Sequence, residues 1–164
     1  LNFSLFQSLP DYWGIDQEFP IMPITHLDQK PTRSASLWDI TCDSDGELPF
    51  DLKKPLYLHD VNLNKEDYFL GFFNVGAYQD TLGMKHNLFS HPTEVNIVFE
   101  NGKVILEKIL ESQKLIDILE DIDYDTNEIK SILSKNLSKE IYEVLEKYLN
   151  ENSYLKTIWS YYDE

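Results

Sequence analysis

Apolar and polar residues alternate in short runs up to about Glu107, and the spacing then lengthens to that of a helix. Leu1-Asn2-Phe3-Ser4-Leu5-Phe6 alternates from its first residue, so residues 3 to 6 are predicted as a half-buried strand. Gln7 to Asp11 punctuates it with Pro10, and Tyr12 to Asp16 is predicted as aromatic loop. Phe19 to Ile24 is apolar, but Pro20 and Pro23 restrict it to an edge strand or an extended segment. After a polar loop over 26–34, Ser36 to Thr41 is predicted as a strand that ends in the polar tip Thr41-Cys42-Asp43-Ser44-Asp45-Gly46. Leu48 to Asn64 is an excursion with a short strand at Leu56-Tyr57-Leu58. Tyr68 to Val75 does not alternate and is predicted as a central strand buried on both faces, followed by Gly76-Ala77-Tyr78. Val95 to Phe99 and Lys103 to Leu106 flank Asn101-Gly102, the residue pair that favours a type I′ hairpin turn.

Beyond Glu107 three helices are predicted. Ser112 is the expected cap of the first, with Leu115, Ile116, Leu119 and Ile122 on its apolar face. Asp125-Thr126-Asn127-Glu128 has capping-box spacing, and Ser138 opens a helix that turns Ile141, Val144, Leu145, Tyr148 and Leu149 to one side. Tyr154, Leu155, Ile158, Trp159 and Tyr162 form a last aromatic patch. The pattern gives an α+β chain, with a β-domain of mixed or antiparallel, barrel-like sheet over 1–107 and a helical extension over 108–164.

Composition narrows the function classes. The 164 residues suffice for a real core. A net charge of −15 argues against nucleic acid and against anionic membrane surfaces, because both are met by Lys and Arg. The acidity serves solubility, or attracts a cationic ligand. One cysteine excludes an internal disulfide and a multi-cysteine metal site, and fits a reducing, cytoplasmic compartment. No apolar run is long enough for a transmembrane helix, and no signal-peptide pattern is present. A strand pattern at residue 1 without an initiator Met suggests a piece of a longer chain.

Cys42 is the first candidate for chemistry. A lone cysteine is commonly a small buried hydrophobe. Flanking carboxylates disfavour a thiolate nucleophile and suit a thiol that gives up a proton. Asp43 and Asp45 can shape a turn, or one of them can select a cationic ligand. Tyr78 can pack, or contact a ligand beside Gly76 where the backbone is open to close approach. His86 and His91, five apart without a third ligand, make a poor metal site. His26 and His59 fall in predicted loops without an assigned role.

Three stretches resemble one family. They are Phe3-Ser4-Leu5-Phe6-Gln7-Ser8-Leu9-Pro10-Asp11 with Trp13-Gly14-Ile15-Asp16-Gln17; Asp39-Ile40-Thr41-Cys42-Asp43-Ser44-Asp45-Gly46; and Gly71 to Asp80 with His86-Asn87-Leu88-Phe89. In this order they resemble the C-terminal part of the biosynthetic, pyridoxal-phosphate-dependent arginine decarboxylases, within the alanine-racemase-like group. The likeness runs from residue 3 to about 100. It implies an N-terminal α/β barrel, outside this sequence, that holds the cofactor through a lysine, and a homodimer or tetramer with active sites between subunits. It implies that Cys42 enters the partner's site and returns a proton to Cα after CO2 leaves. Asp43 would hold the cationic end of the substrate, Tyr78 would touch the cofactor phosphate, and Mg2+ is allowed as a further cofactor. Ser90-His91 departs from the more usual Gly-Asp, and the segment from Glu47 to Asn64 is short. Two other readings stay open: a non-catalytic β-domain for binding or assembly, and the same region of an ornithine, lysine or related diamino-acid decarboxylase.

Overall fold

The computed structural model describes residues 1–48, 55–76 and 78–154. It divides into two compact units, Leu1–Asn87 and Leu88–Glu164. The hairpin at Asn101-Gly102 thus groups with the helices, whereas the expected boundary at 107/108 grouped it with the earlier strands. Leu155, Ile158, Trp159, Tyr162 and Ala77 lie outside the described residues.

In the first unit the chain opens with α1 (Leu5–Ser8), not with the strand expected over 3–6. Ser4 is fully buried and caps this turn, its Oγ accepting from the Gln7 amide at 3.4 Å. Leu5 and Phe6 are buried one after the other, so the apparent alternation marked two buried sides. Four residues are too few to separate a period of 2 from 3.6. Pro10 starts α2 (Pro10–Ile15), where a missing N–H costs nothing.

The strands of this unit are short and pair in antiparallel twos. β1 (Ile21–Pro23), β2 (Arg33–Ala35), β3 (Leu37–Trp38), β4 (Glu47–Leu48), β5 (Leu56–Leu58) and β6 (Leu70–Phe72) form the ladders β1–β6, β2–β5 and β3–β4. The stretch Tyr68–Val75 is therefore not a central strand among the described residues. Only Leu70–Phe72 is paired, on one side, and Phe69, Phe73 and Val75 are exposed. Apolar continuity registered that many faces want cover, without saying that sheet neighbours supply it. The core is Leu5, Leu9, Leu37 and Leu48, ringed by residues such as Phe3, Tyr12, Phe72 and Leu58. Helix α1 thus shares its core with the ladder that brackets the Thr41–Gly46 tip.

Helix α3 (Gln79–Leu82) lies against α1 and α2. Gly83 ends it, and a Cβ added there would stand 2.4 Å from the Gln7 carbonyl oxygen and 2.7 Å from that of Gln79. Both are backbone atoms that cannot swing aside. Met84 then donates its amide to the Phe6 carbonyl at 3.2 Å. Gly83→Ala is expected to cost about 1–3 kcal/mol by overpacking. Amide exchange at Leu82, Gly83 and Met84 should speed up, while exchange in the later hairpin stays unchanged.

In the second unit β7 (Glu94–Glu100) and β8 (Lys103–Leu110) form the hairpin predicted from Asn101-Gly102, with φ of 50° and 74° at those two residues. A bulge after Asn96 shifts the register. The helices are α4 (Leu115–Asp121), α5 (Thr126–Asn136) and α6 (Lys139–Leu149). Asp125 caps α5, accepting from the Asn127 and Glu128 amides at 2.9 and 3.0 Å. Ser138 caps α6, as expected. Ser112 does not cap α4, whose N-cap is Lys114 with the Asp117 carboxylate accepting from its amide at 3.0 Å. The Ser112 hydroxyl is used elsewhere, 3.0 Å from the buried Ser90 hydroxyl.

Candidate functional site

Asp39 builds the tip. One carboxylate oxygen accepts from the Leu5 amide at 2.8 Å, at the start of α1. The other accepts from the Thr41 amide at 2.8 Å and the Thr41 hydroxyl at 2.7 Å. The Asp39 amide donates to the Gly46 carbonyl at 2.9 Å, closing the loop at its base, and the Ile40 amide donates to the Phe3 carbonyl at 3.0 Å. An Asp whose side chain bonds the amide two residues on is an Asx turn. Gly46 is buried against this carboxylate: an added Cβ would sit 2.2 Å from Asp39 Oδ1 and 3.0 Å from Thr41 Oγ1. The glycine is thus required by close approach.

With its base fixed, the loop turns Cys42 outward, where the thiol is exposed. It is not the buried hydrophobe that a lone cysteine commonly is. Asp43 is half-buried and opens a single 3-10 turn, Ser44–Gly46, with Oδ1 accepting from the Asp45 amide at 2.9 Å. Asp45 contributes this amide while its side chain points to solvent, which fits a turn-shaping residue.

Two side chains meet the pair from the segment after α3. His86 Nε2 lies 3.4 Å from Asp43 Oδ2. That is within reach of an ion pair, yet the angle makes no hydrogen bond, and the Nε2 atom is buried without one. The ring is held by Phe6, centroid to centroid 4.4 Å. Asn87 donates from Nδ2 to Cys42 Sγ at 3.4 Å. Cys42, Asp43, His86 and Asn87 therefore form one constellation on the first unit. Sequence reasoning singled out the first two. It weighed His86 only as half of a poor metal site and gave Asp39 and Asn87 no role, although Asp39-x-Thr41 has Asx-turn spacing and His86-Asn87 belongs to the third family-like stretch.

Tyr78 belongs to a different element. It is the N-cap of α3, its carbonyl accepting from Leu82 N at 2.8 Å and from the Thr81 hydroxyl at 3.2 Å, and its side chain is 68% exposed. Gly76, two residues before it, would meet nothing nearer than Asp11 Oδ2 at 4.0 Å if given a Cβ. Among the described residues nothing needs a glycine there, and the space beside it is open. An exposed phenol next to open backbone can donate a hydrogen bond to the anionic end of a ligand. One donor is a contribution to such a site and not the whole of it.

The remaining histidines of this unit are occupied. His59 Nδ1 lies 2.7 Å from the Tyr68 hydroxyl and Nε2 3.0 Å from the Gln29 carbonyl. His26 Nε2 pairs with Glu66 at 3.0 Å. Among the described residues no three His, Cys, Asp or Glu converge as a metal site, and no helix is long and apolar enough to cross a membrane.

No family model matches the chain. The biosynthetic arginine decarboxylase of Phocaeicola vulgatus is 40% identical over 146 residues, covering 87% of this chain and 23% of that protein. That of Pelobacter propionicus is 41% identical over 173 residues, covering 94% of this chain and 27% of that protein. The crystal structure of the biosynthetic arginine decarboxylase SpeA from Campylobacter jejuni is similar at 54% identity and a TM-score of 0.88, over 96% of this chain and 29% of the crystallised one. The chain spans about a quarter of the length of the curated relatives it matches. It belongs, as a partial region, to the biosynthetic arginine decarboxylase family.

Proposed function

We propose that this chain is the C-terminal part of an arginine decarboxylase that converts L-arginine to agmatine and CO2, and that it supplies residues to an active site shared with a partner subunit. The observation that carries the proposal is the outward thiol of Cys42 beside Asp43 on a loop locked by Asp39. A locked base with reactive groups at the tip is what positioning a proton donor requires. An α/β barrel outside the chain would hold pyridoxal phosphate through a lysine, and Tyr78 would add a hydrogen bond to its phosphate. When bound, that cofactor supplies the electron sink for loss of CO2. Mg2+ remains a family-based expectation, and the compartment is cytoplasmic on the same reading.

Each residue of the tip then has one task. Cys42 keeps its proton until CO2 has left and gives it to Cα of the product. Asp43 attracts the substrate's cationic end with the oxygen lone pairs that the Asp45 amide leaves open. Charge assistance of this kind is worth about 1.5–3 kcal/mol, or roughly 10- to 100-fold in affinity. In the full-length enzyme Asp43→Asn should therefore raise KM for arginine roughly tenfold or more, with a smaller loss in kcat. An unchanged KM would remove Asp43 from substrate binding. A preference for ornithine or lysine over arginine in the unsubstituted enzyme would contradict the substrate.

A further inference from the structure

Asn87 reaches Cys42 from a backbone conformation that few residues tolerate. Its φ is 54° and ψ 26°, and Leu88 follows with φ 64°. The left-handed region suits glycine best and Asn or Asp next, while a bulky Leu there is an outlier. Such conformations persist only where the surroundings hold them, and they gather where geometry matters for function. Here His86 is the anchored neighbour, its ring against Phe6 and its Nε2 facing Asp43. The backbone then turns so that the Asn87 amide arrives 3.4 Å from Sγ. Nδ2 has two hydrogens and no lone pair, so the sulfur is the acceptor in this contact.

We infer that Asn87 is a positioning residue for Cys42. By donating to one lone pair of Sγ it fixes the thiol rotor, and the S–H is directed away from the amide, toward the open side where Cys42 is exposed. This rests on Cys42 being the proton donor. It also separates two reasons for an asparagine at this position. If only the backbone matters, glycine serves as well or better. If the side chain positions the thiol, the Nδ2 donor is needed, and neither glycine nor aspartate has it.

The test uses the full-length enzyme with Asn87→Gly and Asn87→Asp, both of which tolerate the left-handed backbone. The readouts are kcat and KM for arginine, the ratio of agmatine to the aldehyde by-product, and peptide-resolved alkylation of Cys42 by iodoacetamide in the cofactor-free protein. The aldehyde would form when the proton is delivered elsewhere than Cα, with water supplying its carbonyl oxygen and the bound cofactor retaining the amino group. Both variants should lose about tenfold in kcat with KM within about twofold. The aldehyde share should rise, and Cys42 alkylation should slow by roughly threefold or more. Asn87→Gly combined with Cys42→Ala should be no worse than Cys42→Ala alone. Unchanged kcat, product ratio and alkylation in both variants, with Cys42→Ala still impaired, would overturn the role of Asn87 and leave that of Cys42 standing. A wild-type rate and product ratio in Cys42→Ala would remove the proton donor and the positioning role together.

Discussion

Cys42→Ala in the full-length enzyme should lower the rate of agmatine formation by about 100-fold or more, the usual contribution of a positioned general acid. KM for arginine should change little, because in the proposed role the thiol serves the reacting carbon and not the guanidinium. The aldehyde by-product should rise as a share of turnover, since a carbanion left without its acid is protonated elsewhere. Cys42→Ser would keep a hydroxyl in the same place but a much weaker acid, and should fall between the two. The exposed thiol, set on a loop whose base is hydrogen-bonded by Asp39 and met by the Asn87 amide, is the structural basis for this size of effect. Product analysis by mass spectrometry measures both quantities in one assay.

Asp39→Ala should be the most damaging substitution for the structure of the tip. It removes the acceptor for the Leu5 amide, for the Thr41 amide and for the Thr41 hydroxyl at once. Leu5 is fully buried, so its N–H cannot turn to water. Each stranded donor costs about 1–3 kcal/mol, and a total of roughly 3–5 kcal/mol is expected. The loss should appear as local opening: faster amide exchange over 39–46 and at Leu5, and kcat falling with it. Gly46→Ala should produce the same pattern by the opposite route, because its methyl would force the Asp39 carboxylate off its bonds. Asp39→Asn keeps an acceptor oxygen for part of the set and should be milder than either. If Asp39→Ala left exchange over 39–46 unchanged, the loop would be held by something other than this carboxylate.

How much of this was legible in the sequence depended on whether the signal was local. Asn101-Gly102 demands positive φ at two adjacent residues, and the hairpin follows. Asp125 and Ser138 each reach the amides of their own helix. Where a residue had a distant partner, local reasoning failed. Ser4 caps a helix because Leu5 and Phe6 are both buried by later elements, and Ser112 is drawn to Ser90 instead of to α4. The candidate site divides in the same way. Cys42 and Asp43 stood out by type and by family likeness. Asp39 drew attention only as the lead-in to a family-like stretch, because the bond that ties the tip to α1 goes to the Leu5 amide 34 residues earlier. His86 and Asn87 lie 43 and 45 residues from the side chains they meet, a separation that no periodicity encodes.

In the proposed function the Cys42–Asp43 tip completes the active site of a partner subunit. Subunit mixing tests it most directly. Full-length chains carrying Cys42→Ala are mixed in equal amounts with chains whose cofactor-binding barrel lysine is replaced, after reversible dissociation. Each parent alone should be nearly inactive. Random reassociation of dimers should restore about a quarter of wild-type agmatine formation, through one intact site per hybrid. A mixture that stays as inactive as its parents, although hybrids are detected by mass, would contradict a site shared across subunits.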